Sequence, residues 1–322
     1  MSLRVLAPGF LTSLQDAGRP GFAAMGVGAS GAFDTPALRL ANALCGNPAN
    51  ACGLEITLIG PRLRFDRDSL IAVTGAPIPF LVDDQPAPMW SPVPIRAGSS
   101  IRLGTIRQGC RSYLAIHGGI ALPPVLDSRS SDLNTALGPL EGRALQIGDD
   151  LPIGRYDRLP MPAGRWSLDA SHWFCANPDR PLRLLPGSQR GMLMAASVEA
   201  LFSRTFTVAT DSNRVGLRLS GPTLEWRAPV EMTSEGSLPG VLQLPPSGQP
   251  IAFGPEAPVS GGYPRIGQVA MVDLPRLAQA RPGDRLGFVP IGFDEALSAL
   301  QRREQALERL SRAIATRLQN NG

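Results

Sequence analysis

The chain contains no lysine, and all 31 of its basic residues are arginines. That absence removes whole classes of chemistry, because a Walker-type phosphate loop, a Schiff-base lysine and a biotinyl or lipoyl attachment site each require the lysine amine. Histidine is nearly missing as well: His117 and His172 are the only two, and neither stands beside a serine or cysteine in a triad-like pattern, so a histidine-activated nucleophile is not supported. The four cysteines, Cys45, Cys52, Cys110 and Cys175, lack Cys-x-x-Cys spacing and histidine neighbours. Buried free thiols are expected of them, and no metal centre. No apolar run reaches the roughly 18 residues of a membrane helix, and the opening MSLRVLAPGF carries no apolar core followed by a small-residue cleavage site. A cytoplasmic protein is expected. The net charge of +4 comes from scattered arginines without interleaved aromatics, which argues against nucleic acid or a membrane surface as partner.

Glycine and proline are abundant, 35 and 32 of 322 residues. They are dispersed between short apolar runs such as LIAVTG, SIRLG, SYLAIHGG, LRLLPG, TFTVAT, VLQLP, QPIAFG and VAMVDL. Many short strands joined by tight turns follow from that pattern, with antiparallel barrels or sandwiches favoured over a parallel, doubly wound sheet. The length suits two domains, each able to bury its own core. The expected division is a β-barrel-like domain over 1–160, a second over 161–292 and a terminal helix over 293–322, with the seam in the proline-rich stretch 154–181. In the first domain, Pro36, Ala37, Leu38, Leu40, Ala41, Leu44 and Cys45 recur at helical spacing behind Asp34, a suitable N-cap, and Gly46-Asn47-Pro48 ends the pattern. From Asp294 to Leu318, a stripe of Leu297, Leu300, Leu307, Leu310, Ile314 and Leu318 predicts a long amphipathic helix, expected first to dock on its own barrel, with a partner helix as the alternative.

The two halves echo one another. SLQDAGRPGF (13–22) and TDSNRVGLRL (210–219) both spell Asp-x-x-Arg-x-Gly; GPRLRF and GPTLEW share Gly-Pro-x-Leu; IRAGSSIRLG and ARPGDRLGFV both enter a strand from a glycine turn. Three echoes in the same order point to a duplicated domain. Because both copies carry the Asp-Arg pair, Asp16 with Arg19 and Asp211 with Arg214 are read first as structural clamps on a loop, through arginine bonds to carboxylate or backbone carbonyl. The first copy leads into GVGASGAFD, where Ser30 and Asp34 can line a site that the second copy lacks.

The runs LTSLQDAGRPGF, GASGAFDTPALRLANALCGNPANACGLEITLIGP, DSRSSDLNTALGPLEGRALQIGDDL, DSNRVGLRLSGP, TSEGSLPGVLQLPPSGQPI, SGGYPRIG and DLPRLAQARPGDRLGF resemble, in order and spacing, the family of 5-oxoprolinase C subunits. This family includes the kinase-inhibitor antagonist protein and is related to the carboxyltransferase domain of urea carboxylase. The resemblance covers about residues 3–290 and implies a mainly β fold of two cyclophilin-like β-barrels, with the helical insert in the first. It implies one component of an ATP-dependent complex that opens the 5-oxoproline amide to glutamate beside its B and A subunits. ATP would then be held mainly by the partners, with no covalent biotin and no metal on this chain. Alternatives are a biotin-dependent carboxyltransferase acting on urea or a related amide, and a non-catalytic partner of a kinase inhibitor. The stretch GPEAPVSGG, with Glu256 and Pro258 where many relatives carry Asp-x-Gln-Thr-Thr, is closer to the urea carboxylase type.

Opening a planar amide needs donors on its carbonyl and a carboxylate or hydroxyl on its N–H. Ser260, Gly261 and Gly262 offer unobstructed backbone N–H groups, and Tyr263 a phenol. Expected catalytic residues are therefore Asp34, Tyr263 and Glu256. Expected substrate-binding residues are Ser30, Arg19, Ser260, Gly261, Gly262 and Glu235, with Asp16, Asp211 and Arg214 structural. Glu55, Arg129 and Arg143 are weaker candidates for facing a cleft or binding an anion.

Overall fold

The computed structural model describes residues 2–319, apart from 157, 161, 163, 175–179, 229 and 231. It is mainly β, and the chain divides into two compact units: Met1–Arg19, Ser30–Cys175 and Gln305–Gly322 form the first, Pro20–Ala29 and Ala176–Glu304 the second.

In the first unit, strands β1 (Ser2–Ala7), β2 (Leu11–Gln15), β3 (Gly53–Thr57), β4 (Arg62–Phe65), β5 (Ser69–Gly75), β6 (Phe80–Val82), β7 (Gln85–Pro86), β8 (Val93–Ile95), β9 (Ser100–Leu103), β10 (Arg111–Ile116) and β11 (Asp150–Pro152) build two antiparallel sheets. Their orders are β11-β1-β4-β9-β6-β7 and β2-β3-β10-β5-β8. The sheets share one apolar core, to which Val5, Leu63 and Ile101 contribute from one and Ile56, Val73 and Leu114 from the other. Helix α1 (Thr35–Leu44) covers the opposite face of the second sheet. Asp34 caps it by accepting from the Ala37 N–H, and Pro36 sits in the first turn, where its missing N–H costs nothing. With both faces covered, β5 is buried at every position: Ile71 and Val73 point into the core, while Ala72 packs under Leu40, Leu44 and Cys45. Continuous burial is why SLIAVTG shows no polar alternation.

In the second unit, β12 (Leu182–Pro186), helix α2 (Ala195–Ser203), β13 (Thr205–Val208), β14 (Gly216–Ser220), β15 (Glu235–Gly236), β16 (Val241–Gln243), β17 (Ile251–Phe253), β18 (Ser260–Gly261), β19 (Arg265–Val269), helix α3 (Leu274–Ala278) and β20 (Arg285–Pro290) follow in order. Seven strands close a barrel, β12-β19-β16-β17-β14-β13-β20, with β20 returning parallel to β12. β15 and β18 pair separately. VAMVDL, expected as a strand, ends at Val269 and turns into a 3-10 turn at Met271–Asp273, because Asp273 folds back to bind the start of β12. Gly98 before β9 and Gly283 before β20 have φ of +86° and +91°, the left-handed conformation that explains the third echo.

Helix α4 (Phe293–Gln319) ends the chain. Leu307, Ile314 and Leu318 pack with Leu40, Leu44 and Ala115 in the first unit, as docking on the chain itself requires, and Ala296 packs with Ala270 and Ile291 in the second. Leu297 departs from the expected stripe and is exposed, its place on the buried face taken by Ala296 and Ala299. Among the described residues no helix is long and apolar enough to cross a membrane. Cys45 and Cys52 are buried free thiols and Cys110 is buried as well, while Cys175 lies outside the described residues. Burial, and then the Asp16 charge, push the Cys52 thiol well up.

Candidate functional site

Each unit carries its own polar cluster. In the first, β2 delivers Asp16 to a buried position where its carboxylate accepts from Ser128 Oγ at 2.7 Å, Ser130 Oγ at 2.6 Å, the Gly18 N–H at 2.8 Å and the Arg129 N–H at 2.6 Å. Four donors keep a charge in place that burial alone would penalise. Arg19 is 1% exposed and donates to the Ser130 carbonyl. Gln15 Nε2 and Ser30 Oγ both donate to the Ser131 carbonyl, at 2.9 and 3.1 Å, and the Ala32 N–H to the Asp16 carbonyl at 3.0 Å. The result stitches 128–131 to the 14–19 and 30–34 stretches. Gly31 is the one residue that fits there: at φ +97°, an added Cβ would lie 3.0 Å from the Gly18 nitrogen.

Beside this hub a polar row crosses the second sheet under α1. The register sets Ser13 opposite Glu55, Glu55 opposite Tyr113, and Tyr113 opposite Thr74. Glu55 Oε2 accepts from the Tyr113 hydroxyl at 2.8 Å and the Phe33 N–H at 2.9 Å, and Arg111 Nε stands 3.3 Å from Oε1. The Tyr113 oxygen accepts in turn from the Asp34 N–H at 2.7 Å, and Thr74 ties α1 through the Ala37 carbonyl at 2.7 Å. Burial, then the Glu55 and Asp34 charges, push the Tyr113 phenol far above its ordinary value, so it stays a donor. Asp34 thus joins the row through its backbone while its side chain caps α1. Arg129 Nε is spent on the Leu122 carbonyl, and Arg143 forks Asp149 with two 2.8 Å bonds. His117 Nδ1 lies 2.7 Å from the Cys45 carbonyl, and His172 is exposed.

In the second unit, Glu256 and Arg214 form a buried ion pair, Nε to Oε1 2.5 Å, with side chains 2% and 3% exposed. Asp211, by contrast, is exposed and pairs with Arg218 at 3.0 Å. The SGGYP turn rests on the β15–β18 ladder, where Glu235 faces Gly261 and Gly236 faces Ser260. Glu235 pairs with Arg265, which also donates to the Gly236 carbonyl at 3.0 Å. Tyr263 is 47% exposed. Under the turn lies Gln243: an added Cβ on Gly261 would meet its Nε2 at 2.6 Å. Gln243 is 3% exposed, and among the described residues its Nε2 has no hydrogen-bond acceptor. A buried amide donor left open is costly unless something supplies the acceptor. Gln243, Tyr113, Ser128 and Ser130 carry no signal in the sequence; only strand register and loop closure assemble them. Among the described residues no group of three or more His, Cys, Asp or Glu side chains is placed to hold a metal ion.

The model of the carboxyltransferase domain, subdomain A and B, matches residues 25–290. The chain is 40% identical over 309 residues to the 5-oxoprolinase C subunit of Escherichia coli (strain K12), covering 96% of this chain and 97% of that protein. It is 35% identical over 303 residues to the 5-oxoprolinase C subunit of Haemophilus influenzae, covering 94% and 95%. The crystal structure of Kluyveromyces lactis urea carboxylase matches with a TM-score of 0.88 at 29% identity over 96% of this chain, which spans 29% of that larger protein.

Proposed function

Since the chain belongs to the carboxyltransferase-domain family of subdomains A and B, we propose that it is the C subunit of an ATP-dependent 5-oxoprolinase, working only with B and A partner subunits in the cytoplasm. The observation that carries this reading is the 40% identity to a 5-oxoprolinase C subunit that runs nearly end to end in both proteins. Net, water adds across the lactam C–N bond, giving a carboxylate and an amine, and ATP hydrolysis drives the step.

The second unit supplies the amide-binding surface. The open Gln243 Nε2 donor lies against Gly261 in the Ser260–Gly262 turn, where glycine leaves little side chain in the way, and a donor so placed suits a carbonyl oxygen gaining negative charge. The exposed Tyr263 phenol is the proton donor or stacking face at its rim. Glu235 orients the turn through Arg265, and Glu256 is a positioning residue that neutralises Arg214. In the first unit, Asp16, Arg19, Ser30 and Asp34 hold 30–34 and 128–131 in one geometry.

The first cluster does not suit ATP. Asp16 and Glu55 set carboxylates at its centre, which repel a polyphosphate, and the Ser128, Ser130 and Tyr113 hydroxyls already donate to them. The nucleotide is therefore assigned to the partner subunits. A carboxyltransferase acting on urea is the second reading, favoured by the likeness to urea carboxylase. Copurification with a B subunit, followed by ATP-dependent glutamate release from 5-oxoproline, tests the first; avidin-sensitive activity selects the second.

A further inference from the structure

The second unit also holds an open cavity of about 450 Å³ that the amide-binding reading does not use. Its volume lies within the roughly 300–1,000 Å³ of small-molecule sites. It forms where β20 runs between β12 and β13 beside the end of α2, lined by Phe202, Arg204, Thr205, Arg285, Gly287 and Val289 among others.

Arg204, Thr205 and Arg285 line it from solvent-exposed positions, and three features suit this groove to a ligand. Both ionisable side chains in its wall, Arg204 and Arg285, are cationic, and among the described residues neither pairs with a carboxylate. Arg285 donates to Thr205 Oγ1 from both Nε and Nη2, at 3.0 and 2.7 Å. A hydroxyl that accepts twice has its lone pairs engaged, so its single proton is left to donate elsewhere. Finally, Gly287 stands mid-strand, where glycine weakens a sheet. Packing does not require it: an added Cβ would meet only Pro181 Cβ and Thr205 Cγ2, each at an ordinary 3.7 Å. The missing side chain keeps the cavity open.

We propose that this cavity binds a small molecule carrying an oxyanion, carboxylate or phosphate, on an apolar body. The oxyanion bridges the two guanidiniums and takes the Thr205 hydroxyl proton as a hydrogen bond. The body lies against Phe202 and Val289.

Isothermal titration of the full chain with benzoate, phenyl phosphate and the neutral isostere benzamide tests it. The expected result is one saturable site for benzoate or phenyl phosphate with a Kd of about 1 mM or tighter and none for benzamide. The tighter of the two anions identifies the oxyanion. Arg204→Ala/Arg285→Ala should weaken binding at least about tenfold, and Gly287→Val, which fills the space, should abolish it. Absence of saturable binding by either anion overturns the proposal. So does affinity unchanged in the double arginine variant, which keeps the test open if Gly287→Val fails to fold.

Discussion

Glu256→Ala separates a structural carboxylate from a reacting one. In the native chain its Oε1 lies 2.5 Å from Arg214 Nε, and both side chains are almost wholly buried. Deleting one partner of a buried pair strands the other charge and costs about 3–5 kcal/mol. With a urea dependence of about 2 kcal/mol per molar for a domain of this size, the midpoint of the second unit should fall by about 2 M. Arg214→Met/Glu256→Met removes both charges while keeping much of the volume, and should recover most of the loss. The assay is urea unfolding, with hydrogen exchange of β14 and β17 peptides assigning the transition to the second unit. If Glu256→Ala unfolds at the wild-type midpoint yet silences the reconstituted complex, the carboxylate is reserved for chemistry and the ion pair does not hold the second unit together.

Two further outcomes follow from the second unit. Gln243→Leu preserves shape but removes the open amide donor, so kcat/KM of the complex should drop about 10²-fold, as for loss of one oxyanion donor. The melting temperature should hold or rise, since a buried unsatisfied group is gone; full activity would remove the SGGYP turn from the reaction. Asp273 gives a pH dependence. Burial pulls its carboxyl up, but bonds from the Arg183 guanidinium and backbone N–H, with the Arg276 charge, win and hold it below the usual value. A depressed folded value means stability that is complete above the unfolded value of about 3.9 and is lost as pH falls through the folded one. The acid limb of the second unit's stability curve should therefore flatten in Asp273→Asn, and an unchanged limb would contradict the assignment.

Local features were legible in the sequence. The Asp34 cap, Pro36 in the first turn and the stop at Gly46 each depend on a few adjacent residues, and α1 lies where they place it. Strands such as LIAVTG and SIRLG were equally plain, because turn residues bracket them. The Ser13–Glu55–Tyr113–Thr74 row was not. Each member is one polar residue in a different strand, and only the register brings them to one face. The repeated Asp-x-x-Arg takes two different environments that the spelling does not distinguish. Identical spelling gives a buried four-donor hub at Asp16 but an exposed surface pair at Asp211, because only the first copy has the 128–131 serines folded over it. Gln243 was hidden among ordinary strand residues, since an unmet hydrogen bond is a property of packing.

Under the proposed function, this chain completes a 5-oxoprolinase that it cannot constitute by itself. The most direct measurement is glutamate and ADP formed from 5-oxoproline and ATP by purified A and B subunits, with and without this chain, in the presence of avidin. Product that requires all three proteins, appears in equal amounts of glutamate and ADP, and ignores avidin is the predicted result. Turnover by A and B alone, by this chain alone, or only with a biotinylated partner would contradict it.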